Sequence, residues 1–128
     1  MRKAWLCLPL LLSACNKTAT EEAPAQDANT VLIGEFGSLT GSEATFGQST
    51  HQGIMLAVDE VNAKGGVKGK QVVVKTYDYQ GKTQEAGTAV TRLITDDKVV
   101  AVLGELASSL SIAGGRVAQQ YKVPMISP

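Results

Sequence analysis

The chain has 128 residues, enough for one domain of ordinary size, and its twelve basic and twelve acidic side chains cancel. With no basic stripe and few aromatics, the composition argues against a nucleic-acid partner. The two cysteines, Cys7 and Cys15, lie at the extreme N-terminus, so the rest of the chain can hold neither a disulfide nor a thiolate zinc site, and the single histidine, His51, lacks the partners for a metal site or a Cys/His pair. No metal and no cofactor are expected.

Residues 1–15 read as an address. Met1-Arg2-Lys3 is a short positive segment, and Ala4 to Leu12 is apolar apart from Pro9. The apolar run is too short to span a bilayer, so it reads as a secretory leader and is set aside from the fold. Leu12-Ser13-Ala14-Cys15 resembles the lipobox of bacterial lipoproteins, in which the cysteine becomes the acylated N-terminus. An ordinary leader cleaved at this place would want a small residue where Leu12 stands. Residues 16–29 hold Ala, Thr, Glu, Gln and Pro24 with no large apolar side chain, and read as a flexible tether. The expected localisation is exported and lipid-anchored in the bacterial cell envelope. By resemblance to enteric lipoproteins, Asn16 after the cysteine favours an outer membrane.

From Thr30 onward strand and helix patterns alternate. A strand begins at Val31-Leu32-Ile33, and Gly37 to Gln48 reads as a loop. Ser49 to Lys64 is a helix with Ile54, Val58 and Val61 on one face, stopped by Gly65-Gly66. Val72-Val73-Val74 forms the core of a second strand. Thr83 to Asp96 is a second helix with Ala86, Val90, Leu93 and Ile94 on one face. Val99 to Leu103 is continuously apolar, as a strand buried on both faces should be. Ser108 to Tyr121 is a third helix, and Val123 to Ser127 a fourth strand. The economical arrangement is α/β: a parallel, Rossmann-like sheet with helices on both faces and a ligand crevice beyond the carboxyl ends of the strands. Four strands would leave a face and an edge unprotected, which suggests a fragment or truncated product of a longer chain.

Several chemical motifs fail on spacing. Gly81-Lys82-Thr83 opens a helix as a phosphate loop would, but Thr76 stands where that loop needs glycine. Gly34, Gly37 and Gly41 do not have dinucleotide-fingerprint spacing. Asp78 reads as a turn or capping residue, and His51 as a solvated or capping-region histidine without an acidic neighbour. Asp59 and Glu60 are adjacent and so point to different faces. No catalytic residue is proposed, and the chain reads as a non-enzyme. Gly104 to Ser109 runs from a strand end into a helix N-terminus, where free N–H groups and serine hydroxyls favour an anion such as a carboxylate. Whether Ser108 or Ser109 is instead only an N-cap is open on the local pattern.

The residues Gly53, Ala57, Glu60, Asn62, Gly65, Gly66, Val67 and Gly69 stand in a pattern that resembles the leucine-binding protein family, the type I periplasmic binding proteins. Leu39-Thr40-Gly41, Phe46-Gly47, the Asp78 turn, Gly104 with Ser108-Ser109, and Val123-Pro124 with Ile126-Ser127-Pro128 follow in the family's order. The resemblance covers residues 30–128 and implies a partial N-terminal lobe of a two-lobed, hinged ligand-binding domain. By position it implies that Ser108, through its hydroxyl and N–H, holds an amino acid carboxylate. Ser109 and Thr40 are further candidates, and Phe46 is an aromatic against the ligand. Some members join the turn after the second strand to the residue before the matched serine by a disulfide. Here those positions are approximately Gly81 and Ala107, so that bridge is missing. The implied function is solute binding, without catalysis, for an ABC importer: a branched-chain-type amino acid or related small polar solute as ligand, ABC permease subunits as partners, and the membrane through the lipid anchor. A ligand-sensing receptor domain of the same fold and a truncated, non-binding product are the alternatives.

Lipidation is directly testable: a radioactive fatty acid should label the wild-type chain and leave Cys15→Ser unlabelled, and label persisting in the variant would rule out Cys15 as the acylated residue.

Overall fold

The computed structural model describes residues 28–128; the leader, Cys15 and the tether lie outside the described residues, apart from a turn at Ala28-Asn29. Four strands and three helices alternate: β1 (Thr30–Gly37), α1 (Ala44–Ala63), β2 (Gln71–Asp78), α2 (Thr83–Thr95), β3 (Ala101–Leu103), α3 (Ser108–Gln120) and β4 (Met125–Ile126). All strands run parallel in the order β2-β1-β3-β4, with Thr30 to Gly37 paired residue by residue to Gln71 to Asp78. The expected α/β class and its parallel sheet are present.

The strand order splits the helices. The chain steps from β1 to β2 on one side, then returns past β1 to β3 and β4 on the other. Right-handed crossovers in opposite directions lie on opposite faces, which leaves α1 alone on one face and α2 with α3 on the other. The buried core lies under α2 and α3. Phe36, Leu93, Val90 and Val102 are its largest fully buried apolar side chains, joined by Ala86, Ile94, Val99, Leu110 and Ala118. Each large aliphatic side chain removed from water there contributes about 1.5–3 kcal/mol. Gly114 lets α3 approach closely, because a Cβ at that position would stand 2.6 Å from the Phe36 ring.

The opposite face is thinly covered. Gly47 is the buried residue of α1, and Ile33, Ile54, Val58, Val61 and Leu103 line an apolar groove beside it. At the end of the sheet Ile126 is 68% exposed, so the unprotected face and edge expected of four strands are seen.

Three elements differ from the sequence reading by two residues or more at an end. The first helix begins at Ala44 rather than Ser49, so Phe46 and Gly47 are helical and not in a loop. Gly47, which reads as a loop residue, is needed inside the helix: a Cβ there would lie 2.1 Å from the Ser38 carbonyl oxygen. The third strand starts at Ala101, although the Val100 N–H still donates to Leu32 O. The fourth strand is only Met125-Ile126, flanked by Pro124, whose carbonyl accepts the Val102 N–H.

Asn62 docks α1 on the outer edge of β2. Its amide donates to Val72 O at 2.9 Å and accepts from Val72 N at 2.8 Å, taking both ladder groups of an edge residue whose side chain is buried. Asn62→Ala should lower unfolding free energy by about 1–3 kcal/mol, two net hydrogen bonds at roughly 0.5–1.5 each. Urea unfolding followed by circular dichroism would read it, and an unchanged midpoint would show that water replaces the amide at no cost.

Candidate functional site

The switch in strand order falls between β1 and β3, and a parallel sheet opens a crevice at the carboxyl ends of such a pair. The segments that reach it are residues 38–43 after β1, 79–82 after β2, 104–107 after β3, and Ser127-Pro128 after β4. A small cleft between the two central strands is lined by Glu35, Phe36, Gly47, Thr50, Gly104 and Glu105.

The loop after β1 is held by Asp78, the last residue of β2. One carboxylate oxygen accepts Leu39 N–H at 3.1 Å and Gln80 N–H at 2.8 Å, and the other accepts the Thr40 hydroxyl at 2.5 Å. Gln48 of α1 donates to Leu39 O at 3.0 Å, so strand end, loop and helix are mutually tied. Partial burial alone would push the Asp78 pKa up. The donors from Thr40, Gln80 and Leu39 outweigh it, and the net shift is below the ordinary aspartate value. The turn role expected for Asp78 is present. Thr40, a candidate ligand contact, is exposed with its hydroxyl proton given to Asp78, so toward a ligand that oxygen can only accept.

At the third loop Ala107, extended at φ −78° and ψ 117°, is the N-cap of α3, with no side-chain cap bond. The N-cap alternative for Ser108 and Ser109 is thereby corrected: both lie inside the first turn, are exposed, and have amides without intrahelical acceptors. The reason is that Glu105 takes the local polar bonds. Its Oε1 accepts Ala107 N–H at 3.3 Å, and its carbonyl accepts the hydroxyls of Ser111 and of Ser127, the latter at 2.8 Å. Phe46, in the first turn of α1, is 59% exposed. The four candidate contacts thus lie on the elements at the carboxyl end of the sheet, but none of them lines the cleft between β1 and β3.

Two buried clusters escaped the sequence reading. His51 does have an acidic neighbour, contrary to expectation: its Nδ1 lies 2.7 Å from Glu35 Oε2, which also accepts the Thr76 hydroxyl at 2.8 Å. Glu35 comes from the middle of the sheet and is 2% exposed, so sequence distance concealed the pair. A lone glutamate in the run Thr-Val-Leu-Ile-Gly-Glu-Phe-Gly was the available signal. The second cluster joins Tyr79 to Glu105 by a hydrogen bond between the loops after β2 and β3, with the buried Ser38 hydroxyl beside the same phenol.

A parallel sheet whose switch point opens beside two helix N-termini has the architecture at which open α/β folds bind ligands. The sequence profile of the periplasmic binding protein family matches residues 30–128, and the chain belongs to that family. An amino acid binding protein of Pseudomonas aeruginosa is 32% identical over 98 residues, covering 77% of this chain and 26% of the relative. Leu/Ile/Val-binding protein homolog 8 of Brucella abortus is 41% identical over 93 residues, covering 70% and 23%. The chain therefore spans about a quarter of the length of the curated relatives it matches. Among solved structures, the branched-chain amino acid transporter substrate-binding protein LivJ of Streptococcus pneumoniae, in complex with isoleucine, superposes with a TM-score of 0.75 at 41% identity, covering 77% of this chain and 28% of that one. The leucine-binding protein LivK of Thermotoga maritima gives 0.71 at 36%, covering 77% and 27%. The family is one of solute-binding, non-catalytic proteins, and its periplasmic character implies export.

Because the folded Asp78 pKa is depressed, its ionised form stabilises the loop. That stability is fully present above the ordinary carboxylate range and is lost as pH falls through the folded pKa. In an NMR titration the Asp78 carboxyl should move at a lower pH than a model aspartate, and Asp78→Asn should remove that part of the acid sensitivity; a titration at the ordinary value would contradict the assigned donors.

Proposed function

We propose that this chain is the opening part of the N-terminal lobe, residues 30–128, of a lipid-anchored solute-binding component of an ABC importer, tethered through residues 16–29 to an acylated Cys15. The ligand is an amino acid of branched-chain type or a related small polar solute. Its carboxylate rests on the N-terminus of α3, on the N–H groups and hydroxyls of Ser108 and Ser109, and the Phe46 ring faces it from α1. The observation that carries this reading is the state of those serines: exposed in the first turn, free of capping duty, and set at the carboxyl end of a switch-point sheet. The fold shared with an isoleucine complex at 41% identity supports the choice of ligand class. The partners that follow are the permease subunits of the importer.

The physics suits a zwitterion. A helix N-terminus offers partial positive charge and oriented donors, which satisfy a carboxylate without adding a full counter-charge. A cleft closed over the ligand would remove it from water, so each polar atom must find a partner there. Phe46 contributes apolar contact and no hydrogen bond.

In a chain carrying both lobes, isoleucine binding measured by calorimetry should weaken by roughly 1.5–3 kcal/mol in Ser108→Ala, the scale of a hydrogen bond to a charged group. Unchanged affinity would remove Ser108 from the site, and absence of binding to any of the branched-chain amino acids would remove the ligand class.

A further inference from the structure

Glu105 stands at the mouth of α3, two residues before its N-cap, and is only 5% exposed. One carboxylate oxygen faces the helix and accepts the Ala107 N–H. The other accepts the phenol of Tyr79, which is 3% exposed. A buried carboxylate depends on each of its donors, and the bond from Ala107 is a long one at 3.3 Å, which leaves the phenol as the main support. The amides of Ser108 and Ser109, next along the chain in the first turn of the helix, have no intrahelical acceptor and are alternative partners for that charge.

The phenol is placed by the core. The Tyr79 N–H donates to Gly37 O at 3.3 Å, extending the β1–β2 ladder past the strand ends. Its ring meets Phe36 with centroids 6.0 Å apart, and Phe36 is in turn pressed against Gly104 and Gly114, where Cβ atoms would stand 3.0 and 2.6 Å from its ring. From this fixed base the hydroxyl crosses from the loop after β2 to the loop after β3. Burial first, and then the bond to Glu105, raise the Tyr79 pKa far above ordinary pH, so the phenol remains a neutral donor. The main chain of Glu105 is held as well, its carbonyl accepting from Ser111 and Ser127.

We propose that Tyr79 and Glu105 are positioning residues for the ligand site: the phenol holds one Glu105 oxygen while the other rests on the N-cap amide of Ala107, so that the protein's own anion stops short of the Ser108 and Ser109 amides that receive the ligand's. The clamp rests on the carboxylate site assigned above and adds an internal competitor to it. Removing the phenol frees the charge without removing it. The carboxylate then turns to Ser108 and Ser109, and the site inhibits itself. Removing the charge together with the phenol lifts the inhibition.

The test uses Tyr79→Phe, which keeps the ring, Glu105→Gln, which removes the charge, and the double variant. Amide NMR of the 128-residue chain is the first readout. In Tyr79→Phe the Ser108 and Ser109 amide protons should move downfield and exchange more slowly, and in the double variant they should return toward the wild-type values. Glu105→Asp, which keeps the charge but is too short to reach the phenol, should reproduce the shifts if Tyr79→Phe fails to fold. Isoleucine calorimetry on a chain with both lobes is the second readout. Tyr79→Phe should weaken binding roughly tenfold, and the double variant should recover most of it. A purely structural clamp predicts the reverse order, with the double variant weakest; that order, or unmoved Ser108 and Ser109 amides in both Tyr79→Phe and Glu105→Asp, overturns the proposal. If the amides respond but no variant and no wild-type chain binds isoleucine, the clamp stands and the ligand assignment fails instead.

Discussion

The rest of the structure depends on β1 being paired in parallel on both sides. A strand with two parallel neighbours cannot reach either by a hairpin, so each connection must be a crossover. Because the chain visits β2 first and β3 afterwards, the crossovers run in opposite directions and their helices fall on opposite faces. The helices that follow β1 and β3 therefore begin on either side of one crevice. This topology sets the first turns of α1 and α3, which carry Phe46, Ser108 and Ser109, at the carboxyl end of the sheet.

The same end of the sheet collects buried polar groups at a cost. Glu35 and Glu105 both lie within a few per cent of complete burial and line the same cleft, with Phe36, Thr50 and glycines around them. Each carboxylate has a protein donor: His51 and Thr76 for Glu35, Tyr79 and Ala107 for Glu105. Asp78, nearer the surface, has three. Buried charge without such partners would cost several kcal/mol per group. The donors come from β2, α1 and the loops after β1, β2 and β3, so each acid binds together elements that the apolar core joins only from below. The loops need this support, because the core lies under α2 and α3 and the α1 face is thinly packed.

What could be read from the residues, and what could not, follows the range of the forces involved. Helix α2 was legible because Ala86, Val90, Leu93 and Ile94 repeat at helical spacing and all are buried. The Gly65-Gly66 stop and the parallel α/β alternation were legible too: they are local, or follow from handedness. The start of α1 was not, because Gly47 is inside the helix to satisfy an approach to Ser38, nine residues earlier on another element. The pairs His51–Glu35 and Tyr79–Glu105 were not legible because they join residues 16 and 26 apart through the folded sheet. The serines fall between these cases. Their place in the first turn of α3 could be read, but that they are free of capping could not, since Glu105 holds the Ala107 amide through a side chain whose burial only the fold sets.

The donors at the crevice also say what kind of solute it suits. Ser108 and Ser109 bring amides and hydroxyls, and neither carries a formal charge. A phosphate, with up to two negative charges, would call for arginine or lysine at close range. No Lys or Arg lies in residues 36–51 or 99–115, the stretches that run from β1 into α1 and from β3 into α3. Lys82, in the loop after β2, is the cation of the crevice segments, and of the acids there Glu35, Asp78 and Glu105 have their own donors. A single carboxylate is the anion that partial charges can hold, and a ligand that also carries an ammonium group gains from the acidic surroundings where a pure anion would be repelled. On the proposed site, helix dipoles for a carboxylate and the acidic groups nearby for an ammonium would favour a zwitterion by electrostatics. Under that proposal the attraction needs no contact with the ligand's side chain, so this lobe would hold the amino acid backbone and leave the choice among side chains to other surfaces.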